Sequence, residues 1–263
     1  MMNPTFPGAI AITLYLIGTG IQIVSQGNSK QFLNLISVPA LLLHGLTSYL
    51  GFYSDLGINL DIYTMLSLTA LAVVTIILLS SIHRPVESLF VVIFPIAAIS
   101  ILLQISIDGV YLPRDDISPG LGMHIVLSIL ASGLLTVLAI QAIFLSLCHY
   151  GLRSRKLEFI KKLPPLETIE GLLFEMLGAG LLMLSLSILT GFIFLEDIFN
   201  PGLIHHTVIT LAAWLVFSVL LWGRIKNGWR GTTAARWALC GFGLLALGYF
   251  GSKFVLEVIL RAV

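Results

Sequence analysis

Apolar residues fall in long, almost unbroken runs along this chain, separated by short polar or proline- and glycine-bearing connections. A helix that crosses a bilayer needs roughly 20 mostly apolar residues. Eight runs reach that length: 8–25, 33–53, 62–82, 87–107, 121–149, 171–195, 203–222 and 234–260. With no water in the bilayer core, only helices or closed barrels satisfy the backbone, and these runs are too long and continuous for barrel strands. The pattern predicts an all-α fold, a polytopic membrane helical bundle of about eight transmembrane helices, with one integral membrane domain over 1–263. Small residues such as Gly178, Ala179 and Gly180 are expected at helix contacts.

The connections carry their own signals. QGNSK (26–30) reads as a turn, and HRP (83–85) closes the third run because Pro85 disfavours helix at Arg84. LPRDDISPG (112–120) is a loop by its Pro, Asp and Gly content, and KKLPPLETIE (161–170) is the longest polar connection. Asn200-Pro201 reads as an N-cap followed by proline at the first helical position. Lys and Arg set the orientation. Arg153, Arg155, Lys156, Lys161 and Lys162 crowd 150–170, and Arg224, Lys226 and Arg230 lie in 223–233 with Arg236 just beyond. Lys30 and Arg84 mark the first and third connections. All four are odd-numbered connections, hence cytoplasmic. The even ones, DLGINLD, DGVYLPRDD and LED, are mainly acidic, with Arg114 their one basic residue. Both termini are therefore predicted to be extracytoplasmic.

Composition agrees with the pattern. The chain is 57% hydrophobic and 10% charged, with a mean hydropathy of +1.02, where soluble domains carry about 25% charged residues. A formal net charge of +1 gives no electrostatic reason to expect nucleic acid. Cys148 and Cys240 belong to no CxxC or CxxCH pattern and read as small buried hydrophobes. The opening MMNPTFPG lacks a positive n-region, so no cleavable signal peptide is expected.

Candidate chemistry lies in the histidines. At about 1.5 Å per residue, His44 lies half way along the second run, slightly toward the outer leaflet. His124 stands near the outer end of the fifth, and the adjacent His205 and His206 occupy the first outer turns of the seventh. Three separate runs thus bring imidazole to the outer half of the membrane. His83 and His149 sit at the cytoplasmic edge and read as interfacial polar residues. Two readings of the outer set stand. They are satisfied histidines bonding neighbouring helices, or they ligate a metal or haem, as facing helices of bundles do. No HExxH, HxxxH, cysteine cluster or acidic cluster favours a hydrolytic zinc site. Ligands from well-separated helices suit a flat macrocycle better than a compact ion. On a helix, neighbouring residues point about 100° apart, so at most one of His205 and His206 faces a shared site.

Other intramembrane polar groups have plainer readings. Lys253, Glu257 and Arg261 share one face near the outer end of the last run, either as an ion-paired helix end or as a basic lip that, with Arg114, receives haem propionates. Gln104 and Gln141 read as interhelical hydrogen-bonding groups, Glu175 as a structural partner, and Trp214 as the deep member of four tryptophans. No nucleophile–base pair, phosphate loop or two-carboxylate site can be named, so no enzymatic activity is expected.

Longer segments add a resemblance. GLGMHIVLSILASGLLTVLAIQAIFLSL (120–147) resembles the helix of the cytochrome c assembly family that opens on a haem-associated histidine. LPPLETIE (163–170), AAWLVFSVLLWGRIKNGWRG (212–231) and GYFGSKFVLEVIL (248–260) are similar to the small YpjD- and HemX-like branch of that family, with GWRG and YFGSK the most specific parts. The resemblance implies a haem-handling protein of a bacterial inner membrane, linked to cytochrome c maturation or haem homeostasis, holding b-type haem without covalent attachment. It implies haem, the lipid bilayer and other membrane proteins of cytochrome maturation as partners. By position His124 matches the outer haem histidine and His44 the second-run histidine of the small branch, while Trp214, Gly228, Trp229, Arg230 and Gly231 match by motif. Larger members carry a tryptophan-rich outer segment with a WD pair and a second outer histidine near the last helix end. Here those regions read LEDIFNPGLI and VLEVILRAV, with neither feature. The resemblance then implies binding, delivery or sensing of haem rather than ligation. Cofactor-binding candidates are His44, His124, His205, His206, Arg114, Lys253 and Trp214, with His44, His124 and His205 the iron ligands. A transporter of haem or another small solute and a structural or regulatory partner of a membrane complex are the alternative functions. Pro39 and Pro95, which interrupt apolar runs, are the only transporter-like features.

Overall fold

The computed structural model describes residues 3–25, 30–54, 57–107, 117–154, 165–194 and 204–251. Among them are eight α-helices: α1 (Thr5–Ser25), α2 (Lys30–Phe52), α3 (Ile62–His83), α4 (Phe90–Ser106), α5 (Pro119–Arg153), α6 (Leu166–Phe194), α7 (Ile204–Asn227) and α8 (Gly231–Ala246). Seven of these, α1 to α7, are long and apolar enough to cross a membrane. The last expected run begins as α8 and continues through a π-helical turn, Leu247–Gly251. Its remainder lies outside the described residues, as do Asn200-Pro201, Arg114 and Lys253.

Helix ends follow local chemistry. Asp61 caps α3, its Oδ1 accepting from the Thr64 N–H at 2.6 Å. α3 stops at His83 because the residue before Pro85 is forced into extended backbone, and Arg84 has φ −136° and ψ 146°. The Ser118 hydroxyl accepts from Leu121 N–H at 3.3 Å and Pro119 fills the first turn, where its missing N–H costs nothing. α6 begins at Leu166, five residues before the expected start, with Pro165 ahead of it and Glu167 in its first turn. Beyond the helices, Tyr53–Ser54 and Gly57–Ile58 pair as a short antiparallel ribbon.

The chain forms two compact units, one of the first four helices and one of the last four. In the first, α1 and α3 each pack against both α2 and α4. Its centre holds Tyr15, Phe90 and Phe94, all fully buried, with Phe90 and Phe94 stacked at 4.6 Å. In the second unit α5 and α7 each pack against both α6 and α8, which makes a ring with α5 and α7 on its diagonal. Close approach of α5 and α6 uses Gly180, where a Cβ would lie 2.8 Å from the Leu135 side chain. Gly178 faces open space and Ala179 is exposed, so of that expected trio Gly180 alone sits at a contact. Leu42, Ile23 and Val208 are among many large apolar side chains left exposed. Lipid is their natural solvent.

Candidate functional site, a histidine cleft in the second unit

A cleft of about 740 Å³, its open mouth included, runs into the second unit. His124 of α5 and His206 of α7 both line it. Since α5 and α7 are diagonal, the two imidazoles enter from different sides of the ring. Leu184, Ile188, Phe192, Leu211 and Leu245 supply apolar walls, and Ser128, Ser132, Ser187, Thr207 and Thr210 supply hydroxyls.

His124 is held closely. Its Nδ1 lies 2.8 Å from the Ser187 carbonyl oxygen on α6. A carbonyl can only accept, so Nδ1 carries the proton and, in the neutral ring, Nε2 keeps its lone pair. The contact of Nε2 with the Ser128 hydroxyl is long, 3.5 Å. Ser128 is committed elsewhere, at 2.8 Å from the His124 carbonyl and 2.7 Å from the Ser187 hydroxyl. Thr190 donates to the carbonyls of Leu186 and Ser187, each at 2.9 Å.

His206 lies 3.4 Å from the Thr210 hydroxyl through Nδ1, while His205, its neighbour, is exposed and does not line the cleft. Trp214, two turns further along α7, donates from Nε1 to the Ser185 hydroxyl at 2.8 Å and ties α7 to α6. His44 is fully buried in the first unit, with Nδ1 3.2 Å from the Tyr15 hydroxyl and Nε2 3.0 Å from the Ser67 hydroxyl. Ser48 extends that chain to Ser67 at 3.1 Å. Either neutral tautomer satisfies both of its partners. Among the described residues no three His, Cys, Asp or Glu side chains converge as an ion site.

Sequence reasoning missed the hydroxyl lining and a second cluster at the far end of the same unit. There the buried Glu170, from the LETIE segment, accepts at Oε1 from Arg230 Nε at 2.7 Å and from Arg224 at 3.2 Å. Arg230 belongs to the GWRG turn, whose Gly228 (φ 64°) and Gly231 (φ 57°) adopt left-handed backbone that side chains resist. Trp229 packs on Gly223 and stacks on Trp237 at 5.4 Å. The two segments were noticeable as motifs; that they meet depends on the antiparallel packing of α6 and α7.

Helices of this length and apolarity, around a histidine-lined cleft, define a multi-pass membrane protein of helical-bundle type. The family model described as Cytochrome C assembly protein matches residues 12–260, and the chain belongs to that family. It is 29% identical over 253 residues to the Inner membrane protein YpjD of Escherichia coli (strain K12), covering 95% of this chain and 96% of that protein. An Uncharacterized 28.8 kDa protein in nifR3-like 5'region of Azospirillum brasilense is 31% identical over 150 residues, 54% of this chain and 55% of its own. The Cytochrome c biogenesis protein CcsA of Synechococcus sp. (strain JA-3-3Ab) is 28% identical over 98 residues, 36% of this chain and 28% of its own. No solved structure matches. The chain is a multi-pass protein of the inner membrane.

Proposed function

We propose that the chain is a non-enzymatic haem-binding protein of cytochrome c maturation or haem homeostasis, and that the second unit's cleft takes b-type haem without covalent attachment. The observation that carries this reading is one cleft lined by two histidines from diagonal helices, one of which has its Nδ1 proton committed and its Nε2 facing only a long 3.5 Å contact with the Ser128 hydroxyl. Diagonal helices bring the two imidazoles to the cleft from different sides. The apolar walls suit the porphyrin face. His124 and His206 would hold the iron; haem, when bound, supplies a redox-active centre, and the chain orients it and excludes water. His205 is exposed, and both nitrogens of His44 are engaged by hydroxyls, so neither enters the proposed ligand pair. Membership of the cytochrome c assembly family supports haem as the ligand, with other membrane proteins of that process as its source or recipient.

Titrating haemin into the purified chain tests this. A Soret band saturating at one haem per chain is expected. His124→Ala and His206→Ala should each weaken binding by more than the about 10- to 100-fold typical of losing an outer-shell partner, whereas His205→Ala should bind as wild type. A band indifferent to both cleft histidines contradicts the proposal.

A further inference from the structure

The bond from His124 to Ser187 crosses from α5 to a carbonyl inside another helix, α6. Such a carbonyl is ordinarily screened. Side chains on a helix lean toward its N-terminus and cover the preceding turn, so residue 191 overlies the carbonyl of residue 187. Residue 191 is glycine. A Cβ built there would lie 3.1 Å from Cε1 and 3.3 Å from Nδ1 of His124, closer than the ring tolerates without moving. The imidazole therefore lies against the open position, and a Cβ there would push the ring back by a few tenths of an ångström.

The geometry points to Gly191 as a positioning residue. It opens α6 so that the His124 ring reaches the Ser187 carbonyl, which fixes the Nδ1–H tautomer and leaves Nε2 as the acceptor available to a ligand. Ser128 and Ser187 brace this arrangement through their 2.7 Å hydroxyl contact, and Thr190 shares the same carbonyl. Helix propensity argues against glycine at such a site, since glycine costs about 1 kcal/mol relative to alanine in a helix interior. Space for the ring accounts for it. Gly178, in the same helix, meets nothing within 4 Å and provides a matched comparison.

The part of this inference that concerns affinity rests on the haem reading; the tautomer does not. Nitrogen spectra of the purified full chain, with isotope-labelled imidazoles and the His124→Gln variant for assignment, report which nitrogen holds the proton. Wild type is expected to show protonated Nδ1 and unprotonated Nε2 at His124. Gly191→Ala should give mixed tautomers and a fall in haemin affinity of about 10- to 100-fold, while Gly178→Ala leaves both at wild type. Protonation of His124 on Nε2 alone in the wild type, or a Gly191→Ala variant with wild-type tautomer and affinity, overturns the assignment. If wild type takes up no haemin, the haem reading fails and the nitrogen spectra alone decide the role of Gly191.

Discussion

One carboxylate oxygen, Oε1 of Glu170, holds two arginines at the far end of the second unit. Glu170 is buried, whereas the side chain of Arg224 is one-third exposed and that of Arg230 about two-thirds. Hydrogen bonds to charged groups contribute about 1.5–3 kcal/mol when shielded, and exposure of the arginines reduces that. Glu170→Gln should therefore lower stability by about 1–2 kcal/mol, read as an earlier midpoint of denaturant unfolding followed by tryptophan fluorescence. An unchanged midpoint would show the cluster to be stabilising nothing. At this scale the sequence was legible where a residue type is rare in lipid. That His124 is a candidate and that at most one of the adjacent pair faces a shared site could be anticipated, because a polar ring in an apolar run needs a reason, but the reading took His205 as the ligand where His206 lines the cleft. The partners could not. Ser128 sits one turn after His124 and could have been suspected, but Ser187 and Gly191 are more than sixty residues away and look like ordinary small residues of an apolar helix.

At the scale of elements, apolar length and breaker residues were enough to find the helices. Ser118-Pro119, Asp61 and Pro85 mark their ends by mechanisms that act within a few residues. Length was less legible. α5 has 35 residues against the 29 of the run at 121–149, because its helical backbone begins at the Ser118-Pro119 cap and continues to Arg153 after the apolar pattern ends. Orientation rests on charge. The basic residues at Arg153, Arg224, Lys226 and Arg230 predict that these helix ends face the cytoplasm and that Ser118 faces outward. In a cysteine-free background, a cysteine at Ser118 should react with a membrane-impermeant maleimide added outside intact cells, and a cysteine at Asn227 should react only after lysis. The reverse labelling would invert the topology and move the cleft mouth to the other side.

The described residues form two four-helix rings, and each buries polar groups differently. In the first, Tyr15, His44, Ser67 and Ser48 form a continuous chain that links α1, α2 and α3, and interhelical hydrogen bonds in membranes average about 0.6 kcal/mol each. In the second, the hydroxyls and histidines surround a cleft rather than one another. The sequence placed His44 and His124 at similar depth and gave no sign that they belong to different units, because depth follows from position along a helix while neighbours follow from packing. In the proposed haem complex, iron is held by the histidines of the second unit. Electron paramagnetic resonance of the ferric haem complex reads the ligands of that iron. A low-spin signal from two imidazoles is expected in wild type and in His44→Ala, with conversion to high spin in both His124→Ala and His206→Ala. A low-spin signal that survives in these two variants, or that is lost in His44→Ala, would contradict it.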